Sequence, residues 1–176
     1  MAAGDPGKLP ASTVSGNGAH GYEHLGRIIG TIDFSIPDTS FESGYQVSIS
    51  LDDPDPDLAR LPDADQLLIA APEVSVAISY PLKKEFIFKL KSNGEFTKGK
   101  LVQLISELYH RIYEMEERAA SAKTIPPKKR KGVHNRNDTN GDFGIWGHDL
   151  SDLVLSGIRI HQKADGEIIL SLDVES

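Results

Sequence analysis

One stretch of the chain, and only one, repeats its apolar residues at helical spacing over several turns. Leu101, Leu104, Ile105, Leu108, Ile112 and Met115 fall on a single stripe. Thr97 stands where a hydroxyl can accept from the free amides of the first turn. Glu107–Arg111 and Glu114–Arg118 place opposite charges one turn apart on the outer side. The pattern fades after Ala120. A lone amphipathic helix needs one apolar surface to lie on, so the rest of the chain must supply a sheet.

It does so with period-two runs. Ile28, Ile32, Phe34 and Ile36 read as a strand stopped by Pro37-Asp38, and Tyr45, Val47, Ile49 and Leu51 as a half-buried one. Val74, Val76, Ile78 and Tyr80, then Phe86, Phe88 and Leu90 across the break Pro81-Leu82-Lys83-Lys84, predict a β-hairpin. Val154, Ile158 and Ile160, the turn Ala164-Asp165-Gly166, and Ile168, Leu170, Leu172 and Val174 predict a closing hairpin. Asp52-Asp53-Pro54-Asp55-Pro56-Asp57, with repeated proline and like charge, predicts an extended acidic loop. The fold class is therefore α+β: a mainly antiparallel sheet of about five to six strands with one long helix packed on one face.

At 176 residues, 39% hydrophobic and 26% charged, the chain suits one domain with a real core. Residues 1–25, rich in Gly, Ala, Ser and Pro, are expected to form a disordered tail, and 26–176 the domain. No apolar run approaches the roughly 20 residues that span a bilayer, so no membrane partner is expected. The N-terminus lacks the basic-then-apolar order of a secretory signal. Cysteine is absent, which excludes disulfides and thiol chemistry and fits a reducing, intracellular compartment. No glycine-rich phosphate loop and no Gly-x-Ser-x-Gly elbow is present, so neither a catalytic residue nor a cofactor is assigned.

Charge is uneven. Residues 123–141 carry 6 basic and 1 acidic group, while the chain as a whole carries −7. This island lies in a segment, about 121–141, expected to be a flexible basic loop. Within it, Lys128, Lys129, Arg130 and Lys131 follow Pro126-Pro127 and have the form of a short nuclear import signal. Prolines hold such a run extended for the acidic grooves of an import carrier. Nucleic-acid binding by the same loop is an alternative, weakened by the acidic body and the lack of interleaved aromatics. Asp138-Thr139-Asn140-Gly141-Asp142 lacks the spacing of a calcium loop.

The block Gly144-Ile145-Trp146-Gly147-His148-Asp149-Leu150 holds the single tryptophan between two glycines. Trp146, His148 and Asp149, with Tyr109 and Tyr113 on the flank of the helix, form the candidate interaction surface. His148, Asp149 and Asp152 support a second reading, a metal-assisted hydrolase, with His110 or His161 as further ligands. The plainer reading is a packed turn with Trp146 anchored in the core and Asp149 or Ser151 capping; no metal ligand is assigned.

Gly94-Glu95-Phe96-Thr97-Lys98-Gly99-Lys100-Leu101, Tyr109-His110-Arg111-Ile112-Tyr113-Glu114 and the tryptophan block together resemble an uncharacterised family of small land-plant proteins. Those close on a Tyr-Gly-Ile-Trp-Gly-His-Asp-Leu block; here Phe143 replaces the tyrosine. The resemblance covers roughly residues 74–176, implies an intracellular plant protein, and carries no activity, cofactor or catalytic residue with it. The expected function is that of a nuclear or nucleocytoplasmic regulatory protein without catalytic activity. Its partners would be an import carrier and an unidentified regulatory protein.

Overall fold

The computed structural model describes residues 11–13, 22–132 and 135–176. In chain order, β1 (Ala11–Thr13) precedes a 3-10 turn at Tyr22–Leu25, then β2 (Arg27–Asp33), β3 (Ile36–Pro37), β4 (Tyr45–Gln46) and β5 (Ile49–Ser50). A single helical turn, α1 (Asp55–Leu58), leads to β6 (Leu67–Ile69), β7 (Glu73–Ile78), β8 (Phe86–Lys91) and β9 (Phe96–Thr97). The long helix α2 (Lys98–Ala119) follows, and β10 (Val154–Gln162) and β11 (Ile168–Glu175) close the chain.

The main sheet has seven strands in the order β1-β8-β7-β11-β10-β2, with β5 also on β10. Both expected hairpins are present, with Val76 opposite Phe88 and Ile158 opposite Leu172. The joint between them, β7 to β11, is the one parallel pairing in this sheet, with Leu170 opposite Val76. It is parallel because the chain leaves β8 through α2 and a long irregular segment before it returns.

Period decides which face each residue takes. Val74, Val76, Ile78, Phe86, Phe88, Leu90, Ile158 and Leu170 turn to one face and join Leu101, Ile105, Leu108 and Ile112 of α2 in one core. Each such side chain, fully buried, contributes about 1.5–3 kcal/mol. Thr97 caps the helix as expected, its hydroxyl accepting from the Lys100 amide at 3.3 Å. The opposite face has only a small apolar cluster of Leu25, Ala77 and Ile169, flanked by Tyr22 and Ile87.

Four expectations change. The run Tyr45–Leu51 is not one strand. β4 pairs with β3, β5 pairs with β10, and between them Val47 is exposed. The chain changes partner there, which alternation alone does not reveal. Ile28 is exposed because β2 is an edge strand with a bulge at Ile29. The acidic loop contains the turn α1. Pro56 is tolerated in its first turn, where an amide has no helical partner, and Asp57 accepts from the Ser50 amide at 3.0 Å. Finally, residues 1–10 and 14–21 of the expected tail lie outside the described residues, whereas 11–13 and 22–25 belong to the fold. β1 pairs with β8, and Leu25 is fully buried.

Candidate functional site: the tryptophan loop

The segment from the end of α2 to β10 holds the residues singled out as functional, except Tyr109, His110 and Tyr113 on α2 and His161 on β10. Its described part is irregular, apart from short 3-10 turns at Pro127–Lys129 and Leu150–Asp152, yet it is tied down throughout. The principal tie is Glu116, a carboxylate on the core side of α2 with no exposed surface. It accepts from the amides of Gly141 (2.7 Å), Phe143 (2.8 Å) and Gly144 (3.1 Å). Burial pushes its pKa up, but the Thr139 hydroxyl and these amides outweigh that and hold it below the usual carboxylate range. A side chain on Gly141 would meet the Glu116 carboxylate at 2.6 Å, so only glycine allows this approach.

Arg136 is the second tie. It is buried, donates to the Thr124 hydroxyl (2.7 Å) and the Ile145 carbonyl (3.3 Å), and lies 5.4 Å from the centre of the Tyr113 ring. Asp149 is the third. Arg130 holds both its oxygens, at 2.6 and 2.8 Å, and Arg136 approaches to 4.0 Å. The hydrogen bonds from Arg130 keep the Asp149 carboxyl low, ahead of the opposing effect of burial. The expected loop is therefore irregular but held in the described residues; Val133 and His134 lie outside them.

Above these ties stand three rings. Trp146 meets Tyr80 edge-on at 5.2 Å and His148 at 5.3 Å, and Tyr80 and His148 are 5.4 Å apart. The Trp146 amide donates to the Pro81 carbonyl at 3.1 Å. Tyr113 donates to the His148 carbonyl (3.0 Å) and Tyr109 to the Tyr80 carbonyl (2.9 Å). Burial raises the pKa of both phenols. Trp146 keeps 38% of its surface exposed, so it is a surface ring on a fixed frame and not the core anchor of the plainer, packed-turn reading.

The candidate interaction surface thus divides. Trp146 and His148 reach solvent. Tyr109 is buried and Tyr113 largely so; both position the loop from below and are corrected to supporting residues. Asp149 is committed to Arg130. The basic run divides as well: Lys128, Lys129 and Lys131 are exposed, whereas the Arg130 side chain is 5% exposed.

The metal-hydrolase arrangement is not assembled. Asp149 is occupied by Arg130, and Asp152 accepts from the Asp149 amide at 2.9 Å, closing the expected cap of the short turn. His110 bonds the Asp52 carbonyl (2.7 Å), and His161 lies elsewhere in the sheet, between Ser171 (2.8 Å) and the Gly26 carbonyl (3.3 Å). Among the described residues no three His, Asp or Glu side chains are grouped to hold a metal ion. His161 and Ser171 resemble a base and nucleophile in distance, but both are buried to 1% exposure or less, beyond the reach of a substrate.

Sequence reasoning missed Tyr80, Glu116 and Arg136. Glu116 left a signal: it follows Ile112 by four residues, where the stripe calls for an apolar side chain. Tyr80 and Arg136 left none, because their partners come from distant segments. No protein-family model, curated protein or solved structure matches this chain.

Proposed function

We propose that this chain is a non-catalytic binding protein of the nucleus or nucleocytoplasmic pool. It would engage other proteins through the tryptophan loop and use Lys128–Lys131 as its import signal. The supporting observation is Trp146: a half-exposed ring, framed by Tyr80 and His148, on a loop anchored by Glu116 and Arg136. A large ring held rigidly loses little entropy on binding, which is the property of an interface anchor. Arg130 pins the run carrying the three exposed lysines to the neighbouring Asp149. A partner segment pairing an apolar residue with acidic ones fits this surface.

Localisation is tested with a fusion to a reporter too large to diffuse through nuclear pores. Converting Lys128, Lys129 and Lys131 to alanine is expected to shift it to the cytoplasm. A wild-type fusion already cytoplasmic, or a variant that stays nuclear, defeats the import reading. For binding, proteins captured by the wild type should be lost with Trp146→Ala and kept with Glu95→Ala; equal capture by both variants rules out the tryptophan surface.

A further inference from the structure

The basic run is folded back on itself. Acidic grooves that take a basic signal need it extended, where residues rise about 3.3 Å each and side chains alternate. Here Pro127–Lys129 form a 3-10 turn, which rises only about 2.0 Å per residue. The Lys129 amide donates to the Pro126 carbonyl at 2.8 Å and the Arg130 amide to the Pro127 carbonyl at 3.2 Å. The two prolines therefore open a turn and do not hold the run straight. Arg130 closes that turn. Its Nε donates to the Ile125 carbonyl at 2.8 Å, and the Ile125 amide is fixed by the Asn137 side chain at 2.8 Å. Its two terminal nitrogens donate to the two oxygens of Asp149 at 2.6 and 2.8 Å. A planar guanidinium fork matches a carboxylate in this way, and an ammonium does not. Lys128, Lys129 and Lys131 are exposed, but on a segment whose fourth cation is turned inward.

We infer that the Arg130–Asp149 clasp masks the import signal: a nuclear import carrier engages Lys128–Lys131 only after Arg130 leaves Asp149 and the run extends. This masking rests on the import reading of the run and adds its regulation. The clasp is of a kind that opens reversibly. The Asp149 side chain is 26% exposed and lies 4.0 Å from Arg136, so release of Arg130 leaves the carboxylate with a second cation and with water. Arg136 stays in place through the Thr124 hydroxyl and the Ile145 carbonyl. No charge is stranded in a dry interior, the condition that makes breaking an ion pair costly. The released guanidinium joins the lysines in the carrier's acidic groove. A clasp open about one-tenth of the time weakens carrier binding about tenfold. Such a loss slows import without abolishing it.

The test titrates a purified nuclear import adaptor for basic signals with the intact chain, with two full-length variants, and with a peptide of residues 125–132, which needs no fold. Asp149→Asn removes the charge that holds Arg130. Arg130→Lys keeps four cations in the signal and removes the fork, and it leaves Asp149 in its place at the cap of the Leu150–Asp152 turn. The peptide is expected to bind about tenfold or more tightly than the intact wild type, and both variants to move toward the peptide. A wild type that binds as tightly as the peptide overturns the masking. A weaker wild type that neither variant strengthens overturns it equally, because the fold then hinders the carrier by some route other than the clasp. A peptide that does not bind removes the import reading itself, and the masking with it. Should Asp149→Asn fail to fold, the wild type against the peptide and Arg130→Lys still decide.

Discussion

Phe88 and Ile87 are neighbours on β8 and belong to two different environments. Phe88 turns toward α2 and is packed against Phe86 and Phe143 among the largest core side chains. Ile87 turns the other way, where only three buried apolar residues, Leu25, Ala77 and Ile169, stand among polar pairs: Arg159 with Asp173, Lys89 with Glu73, His161 with Ser171. One face is held by area removed from water, the other by groups that satisfy one another. Losses on the first face scale with volume; losses on the second depend on which partner is left unpaired.

The adjacent pair gives the strongest test. Phe88→Ala should cost about 3–5 kcal/mol in urea unfolding, and Ile87→Ala clearly less, about 1–2 kcal/mol. Equal losses would mean that the second face is as well packed as the first. Glu116→Gln comes next. The amide keeps the shape but presents an NH2 group to backbone amides that need an acceptor, at a cost of about 2–4 kcal/mol. Because the folded carboxyl is held low, its stabilisation is full above the unfolded value and is lost as pH falls through the folded one. The acid limb of the wild-type stability curve should therefore be shallower in Glu116→Gln. Trp146, as the single tryptophan, should report the loosened loop by its fluorescence. His161 is the smallest of the three. Burial lowers its pKa, so it folds neutral, and stability falls as pH drops from about 6.5 toward the folded value. His161→Gln should remove that slope while costing about 1 kcal/mol at neutral pH; an unchanged slope between pH 7 and 5.5 would place the titration on another histidine.

The helix face was legible because its residues repeat. Leu101, Ile105, Leu108 and Ile112, and the alternation of β7, β8 and β11, carry their burial in their spacing. The second face was not, since Ser75, Ser171 and His161 look like solvent-facing residues until their partners are known. The tryptophan loop was legible as a place but not as a mechanism. Gly144 and Gly147, the glycines on either side of Trp146, sit at φ of 65° and 69°, a conformation that glycine takes without strain. The frame beneath them depends on contacts between residues far apart in sequence, Glu116 with Gly144 and Arg130 with Asp149, and spacing holds no record of those. Arg130 shows the limit plainly: in sequence it is one of four equal charges, in the fold the only buried one.

β11 lies in the middle of the sheet, between β7 and β10, although both of these precede it in the chain. β2 in turn rests on β10. During synthesis the β7–β8 hairpin and α2 can close on each other early, but the inner border of β7 stays open, and β2 waits without a neighbour. A nascent chain halted before Ile168 therefore exposes two unpaired strand borders, one of them beside the largest apolar surface of the molecule. Assembly runs from both sides toward a centre synthesised after its neighbours, which makes the interval before β11 emerges the period of greatest need for chaperone cover.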